Sequence, residues 1–226
     1  MTLHPLCCEY LISNGAIDLT FGIIQKFQHD DVTLQILLKV TRNICRWTNL
    51  LQTRLAQALH FQNVDPLSGI VKDPEPYLHS RIYWDKHFWD AHVDLILKST
   101  LECENDDLLV EWLGVLNNLT RDDLPAGVQW SDMLDDYKLR AVDIFQRLVL
   151  EQCHDDIKLE LIIWFGELCS SKECSYWLAS NDLLNIVHSV FLDQQDSEMK
   201  LQILHIYEHC LLFEMTRLQV LGGEGE

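Results

Sequence analysis

Basic side chains are scarce in this chain: 17 Lys and Arg stand against 35 Asp and Glu, a formal net charge of −18 at pH 7. That balance argues against a dominant role in holding phosphate backbones, which takes clustered cations, and favours basic partners. Glycine and proline are few, nine and five among 226 residues, while 48% of the chain is apolar, which excludes wholesale disorder. No run approaches the roughly 18 consecutive apolar residues of a membrane-spanning helix, so no membrane insertion is expected. The opening Met1-Thr-Leu-His-Pro-Leu-Cys-Cys lacks the basic and long apolar stretches of a secretory signal. Eight cysteines are present without one CxxC pair, most of them inside apolar runs. They read as core thiols in a reducing compartment, and hence as an intracellular, cytoplasmic protein.

Signatures of chemistry are missing too. No GxxxxGK[ST], GxGxxG or GxSxG pattern occurs. His205-Ile-Tyr-Glu-His209 sets two histidines at i and i+4, but a zinc hydrolase needs its Glu directly after the first His, and no third ligand is evident. Asn118-Leu-Thr120 matches a glycosylation sequon by chance, at a helix end. The expectation is a protein with no catalytic residue, cofactor or metal, and no nucleic-acid partner.

What the sequence does contain is a repeat. Four acidic turns, at Asp30-Asp31, Asp106-Asp107, Asp155-Asp156 and Asp193–Asp196, each precede an apolar helix, predicted over about 32–46, 107–119, 156–169 and 197–212. An Asp or Ser in each turn is placed to cap that helix, and its charge suits the positive helix start. Aligning the helices brings four columns together: Leu37, Trp112, Leu161 and Ile203; Leu38, Leu113, Ile162 and Leu204; Val40, Val115, Trp164 and Ile206; Ile44, Leu119, Leu168 and Cys210. Within one helix these lie at i, i+1, i+3 and i+7, the stripe of a helix facing a core. Successive columns step by 75, 49 and 42 residues. The last two steps fit the roughly 40–47-residue period of HEAT and armadillo units.

A second helix precedes each of these, at about 16–28, 88–100, 138–151 and 182–192, and short third helices fit at about 130–136 and 172–180. Ser13-Asn14-Gly15-Ala16-Ile17 and Ser180-Asn181-Asp182-Leu183 offer the left-handed corner that a sharp helix junction needs. The extra length of the first step lies at 60–87, where Pro66, Pro74 and Pro76 predict a loop, followed by the aromatic cluster Tyr83–Trp89. The fold expected is all-α: a right-handed armadillo/HEAT-like solenoid of about four repeats forming one domain over 1–215. Its units run over 10–47, 48–120, 128–170 and 171–213, with a flexible acidic tail at 216–226. Leu211-Leu212-Phe213 is apolar and hints at further repeats beyond.

Residues opposite the core stripe would line a concave strip suited to extended or helical peptides. They are Lys39, Asn43 and Arg46; then Glu111, Asn118 and Arg121, with Gly114 leaving room between; then Glu160, Ile163 and Glu167; and finally Gln202, His205 and His209. The strip runs from basic or neutral at one end to acidic in the middle, which favours a basic segment as partner.

One stretch is distinctive. Leu108-Leu-Val-Glu-Trp-Leu-Gly-Val-Leu-Asn-Asn-Leu-Thr120, with Asp122-Asp-Leu and Trp130…Leu134-Asp-Asp-Tyr-Lys-Leu139 after it, resembles the kinesin-associated protein family, the armadillo-repeat accessory subunit of heterotrimeric kinesin. Leu37–Cys45 and Leu11–Ile17 look like the preceding repeat and its helix junction. Arg121 and Pro125–Gln129 depart from the family's pattern. The resemblance implies part of a longer repeat array, a fragment or a reduced relative. It also implies an adaptor that binds kinesin motor tails and links them to cargo proteins in ciliary or flagellar, microtubule-based transport. The alternative is a divergent α-solenoid scaffold with an unrelated basic or helical peptide partner. Nuclear import receptors match less well, because they set a Trp four residues before each ladder Asn, where this chain has Lys39 and Gly114.

Overall fold

The computed structural model describes residues 15–62, 92–120, 129–150 and 152–221. Every regular element among these residues is helical: α1 (Ala16–Lys26), α2 (Asp31–Gln62), α3 (Asp94–Leu101), α4 (Asp106–Thr120), α5 (Trp130–Asp136), α6 (Lys138–Gln146), α7 (Asp155–Cys169), α8 (Lys172–Ser180), α9 (Leu183–Asp193), α10 (Ser197–Cys210) and α11 (Glu214–Val220), with a 3-10 turn at Arg147–Val149. The all-α expectation holds. The predicted short helices at 130–136 and 172–180 are α5 and α8, to the residue.

Boundaries differ where a stop signal was misplaced. The helix predicted to end near 46 continues to Gln62, because nothing from Trp47 to Gln62 is Gly or Pro and the stretch is rich in Leu, Ala, Gln and Arg. It therefore crosses the unit boundary expected at 47–48. Residues 216–220, expected to open a flexible tail, lie in α11. Of the loop expected at 60–87, residues 60–62 are instead the end of α2; residues 63–87, the aromatic cluster, Arg121, Cys7, Cys8 and the Gly-rich end fall outside the described residues.

The caps divide evenly. Asp30 accepts from Thr33 N at 3.2 Å and from Thr33 Oγ1 at 2.7 Å, bonds that hold its carboxyl below the usual range. Asp196 accepts from Met199 N at 2.9 Å. Asp106 and Asp155, by contrast, are not caps: Asn105 caps α4 through Asp107 N and Leu108 N, and the His154 ring accepts from Asp156 N. In both cases the acidic pair occupies the first helical turn, where the helix dipole favours it. The left-handed corners fall on Gly15 (φ 74°) and on Asp182 (φ 61°).

The chain divides into two compact units, residues 1–95 with 122–125 and residues 96–121 with 126–226. In the first, α1 packs on α2 and buries Phe21, Ile24, Leu34, Leu38 and Ile44. A π turn at His92–Val93 is tied to α1, for His92 Nε2 lies 3.1 Å from Asp18 Oδ1 and its ring stacks on Phe21.

In the second unit, α7 packs on α4 along one side and on α10 along the other, and α6, α8 and α9 back this row. The aligned columns are its core: Trp112, Leu113, Val115, Leu119, Leu161, Ile162, Trp164, Leu168, Ile203, Ile206 and Cys210 are all buried. Leu204 and Val40 break the pattern and are exposed. Leu204 lies on α10 with Leu201, also exposed, while α7 covers the buried side of that helix.

Candidate partner-binding face

Helix α4 leaves no polar position of its last ten residues in open solvent: 111–120 are buried throughout. Glu111 and Asn118, predicted to face a partner, are 9% and 8% exposed. Asn118 Nδ2 turns back to the Gly114 carbonyl at 2.6 Å. Its neighbour Asn117 reaches the next repeat, donating from Nδ2 to Glu160 Oε2 at 2.7 Å and to the Glu160 carbonyl at 3.1 Å. Glu160 is thus a buried tie between α4 and α7 (8% exposed), with its carboxylate turned to Asn117. One turn along, Trp164 Nε1 donates to Thr120 Oγ1 at 3.2 Å, and Phe145 of α6 stacks on the Trp164 ring at 5.0 Å between centroids.

The open part of the predicted strip lies elsewhere. On α2, Lys39 and Arg46 are exposed and Asn43 is half-buried, its Nδ2 on the Lys39 carbonyl at 2.8 Å. On α7 and α10, Glu167, Gln202 and His209 are half-buried and His205 is exposed. These last helices meet closely enough that the Glu167 carboxylate favours protonation of His209.

The two histidines touch, Nε2 to Nε2 at 3.2 Å, with rings edge to face. His205 Nδ1 lies 3.2 Å from Glu208 Oε2. A bond between two Nε2 atoms needs one ring to donate and the other to accept, so both cannot be imidazolium while it stands. Burial, then the neighbouring His205, hold His209 below its ordinary value, against the opposing pull of Glu208 and Glu167.

No group of three or more His, Cys, Asp or Glu side chains is placed to hold a metal among the described residues. A surface depression between α3 and α6 is lined by Glu102, Glu104, Arg140, Asp143 and Arg147. Both arginines are paired: Arg140 with Glu102 of the lining, and Arg147 with Asp106 outside it at 3.7 Å. None of the six described cysteines is in a disulfide; Cys45, Cys169, Cys174 and Cys210 are buried. No helix among the described residues is long and apolar enough to cross a membrane.

Sequence reasoning missed Asn117, Thr120 and the Cys169–Cys210 contact as ties between repeats. The signal was available in the spacing: these contacts join residues 43, 44 and 41 apart, one repeat period each.

Inner helices packed in a row, each tied to the next at one repeat period, define an armadillo-type repeat protein. The kinesin-associated protein family matches residues 21–223, so the chain belongs to that family. Among solved structures, an engineered protein from the Northeast Structural Genomics Consortium superposes with TM-score 0.51 at 11% identity, covering 92% of this chain and 84% of that one. A designed armadillo repeat protein in complex with the peptide (KR)4 gives TM-score 0.49 at 11% identity, covering 92% and 87%. At 11% identity the first of these likenesses concerns the fold alone.

Proposed function

We propose that this chain is a non-enzymatic adaptor that binds the tail regions of kinesin motor subunits and links them to cargo proteins. It would act in the cytoplasm on the microtubule cytoskeleton, in transport along cilia or flagella, as one repeat domain over 1–215. The observation that carries this reading is the family match over residues 21–223. The contact residues are those the fold leaves accessible: Lys39, Asn43 and Arg46 on α2, and Glu167, Gln202, His205 and His209 on α7 and α10. Glu111, Asn118 and Glu160 are buried and are left out of the proposed contact.

A pull-down from ciliated-cell extract at physiological salt tests the reading. The bait should recover both motor subunits together, and Glu167→Lys should weaken recovery without unfolding the bait. Recovery of neither subunit by a folded, helical bait overturns it. The second reading, a solenoid scaffold for an unrelated basic or helical peptide, draws on the net charge of −18.

A further inference from the structure

We propose that Cys169 and Cys210 are a modification site: a thiol pair that closes to a reversible disulfide between α7 and α10. Each is the last residue of its helix, and the two occupy the same place in successive repeats, 41 residues apart. Their Sγ atoms are 3.8 Å apart inside the protein. A disulfide needs about 2.05 Å, a gap that side-chain rotation and a small helix shift can close.

The two sulfurs are not equivalent. The contact between them lowers the Cys210 pKa, while burial raises that of Cys169. Cys210, whose carbonyl is held by Thr216 of the terminal helix α11, is the sulfur first reached when that helix opens, so it attacks and Cys169 resolves. Burial lifts the nearby Cys174 thiol to about 11, which makes it the poorer nucleophile.

Access runs past α11. This seven-residue helix packs on α8 and α10, and Thr216 Oγ1 fastens it to the Cys210 carbonyl at 2.6 Å. Met215 and Leu218 on it, and Leu221 just after it, are exposed, so little apolar contact opposes its local opening. The oxidant is a low-molecular-weight disulfide. The Cys210 thiolate attacks one of its sulfurs and releases one small thiolate. Cys169, giving up its proton, then attacks the Cys210 sulfur of the mixed disulfide and expels the second small thiol. Two protein thiols are oxidised, one small disulfide is reduced to two thiols, and both protons leave with them. The bond fixes α7 against α10 beside Glu167 and His209, and it forms irrespective of what partner that face binds.

The test uses the full chain, fully reduced, then incubated with glutathione disulfide and quenched with N-ethylmaleimide in denaturant. Non-reducing digestion and mass spectrometry should find the Cys169 and Cys210 peptides joined and two hydrogens lighter than the reduced pair. The thermal midpoint should rise by about 5–10 °C, as expected for closing a loop of this length in a chain of this size, and fall back on reduction. Cys169→Ser and Cys210→Ser should each abolish both effects. Thr216→Val should speed closure several-fold with the same product, and an unchanged rate overturns the route past α11. Recovery of both thiols alkylated, pairing with Cys174, or a bond between two chains overturns the proposal.

Discussion

Asn117 and Trp164 hold adjacent repeats together with hydrogen bonds that cross between helices inside the protein. Because buried polar groups stabilise only when partnered, Asn117→Ala should cost about 1–3 kcal/mol in denaturant unfolding. Trp164→Ala should cost about 3–5 kcal/mol, since it removes a fully enclosed ring as well as the bond to Thr120. Trp164→Phe should cost clearly less. The sequence columns placed Trp164 in the core correctly, because an apolar stripe reports which way a helix faces. They placed Glu160 and Asn118 in solvent, because a polar residue in such a stripe looks the same whether it meets water or a neighbouring repeat. Only the one-period spacing from Asn117 to Glu160 separates the two cases.

His209 gives a pH prediction at the same scale. Its folded-state pKa lies below the ordinary 6.5, so the unfolded chain takes up the proton first as pH falls. The His209 contribution is complete above the unfolded value. It declines as pH drops through 6.5, and it levels off once His209 is protonated in the fold too. The difference in thermal midpoint between the wild type and His209→Gln should therefore move against the wild type between about pH 7.5 and 5. A constant difference would contradict the origin assigned to the shift.

At the scale of elements, the repeat was legible because helical periodicity survives without any alignment. The starts of α4, α7 and α10 fell within one residue of expectation. The capping atoms were legible in only half the cases. An acidic pair marks the first turn of a helix reliably, but the cap one residue earlier falls to whichever side chain can accept a hydrogen bond, here Asn105 and His154. Asp196→Ala and Asn105→Ala should each lower stability by about 1 kcal/mol, whereas Asp155→Ala should stay within about 0.5 kcal/mol. Chemical denaturation of the three variants side by side checks the assignment. Gly15→Ala should cost about 1 kcal/mol, because a φ of 74° admits a Cβ only with strain, although no atom lies within 4 Å of the place a Cβ would occupy. The long run of α2 escaped notice for the converse reason: a helix without a stop signal does not end where its amphipathic stripe fades.

Over the whole molecule, 35 acidic side chains outnumber 17 basic ones, and no group of three or more His, Cys, Asp or Glu is placed to hold a metal among the described residues. Membership of the kinesin-associated protein family and the partly open face on α7 and α10 together motivate the adaptor reading. Attraction between that acidic surface and a basic tail segment would weaken with salt over a Debye length of about 10 Å at 0.1 M. The most direct test is a calorimetric titration of the purified chain with the paired tails of the motor subunits, at two salt concentrations. The adaptor reading predicts saturable binding that weakens at the higher salt and with Glu167→Lys. Absence of binding by a folded, helical chain at either salt would contradict it.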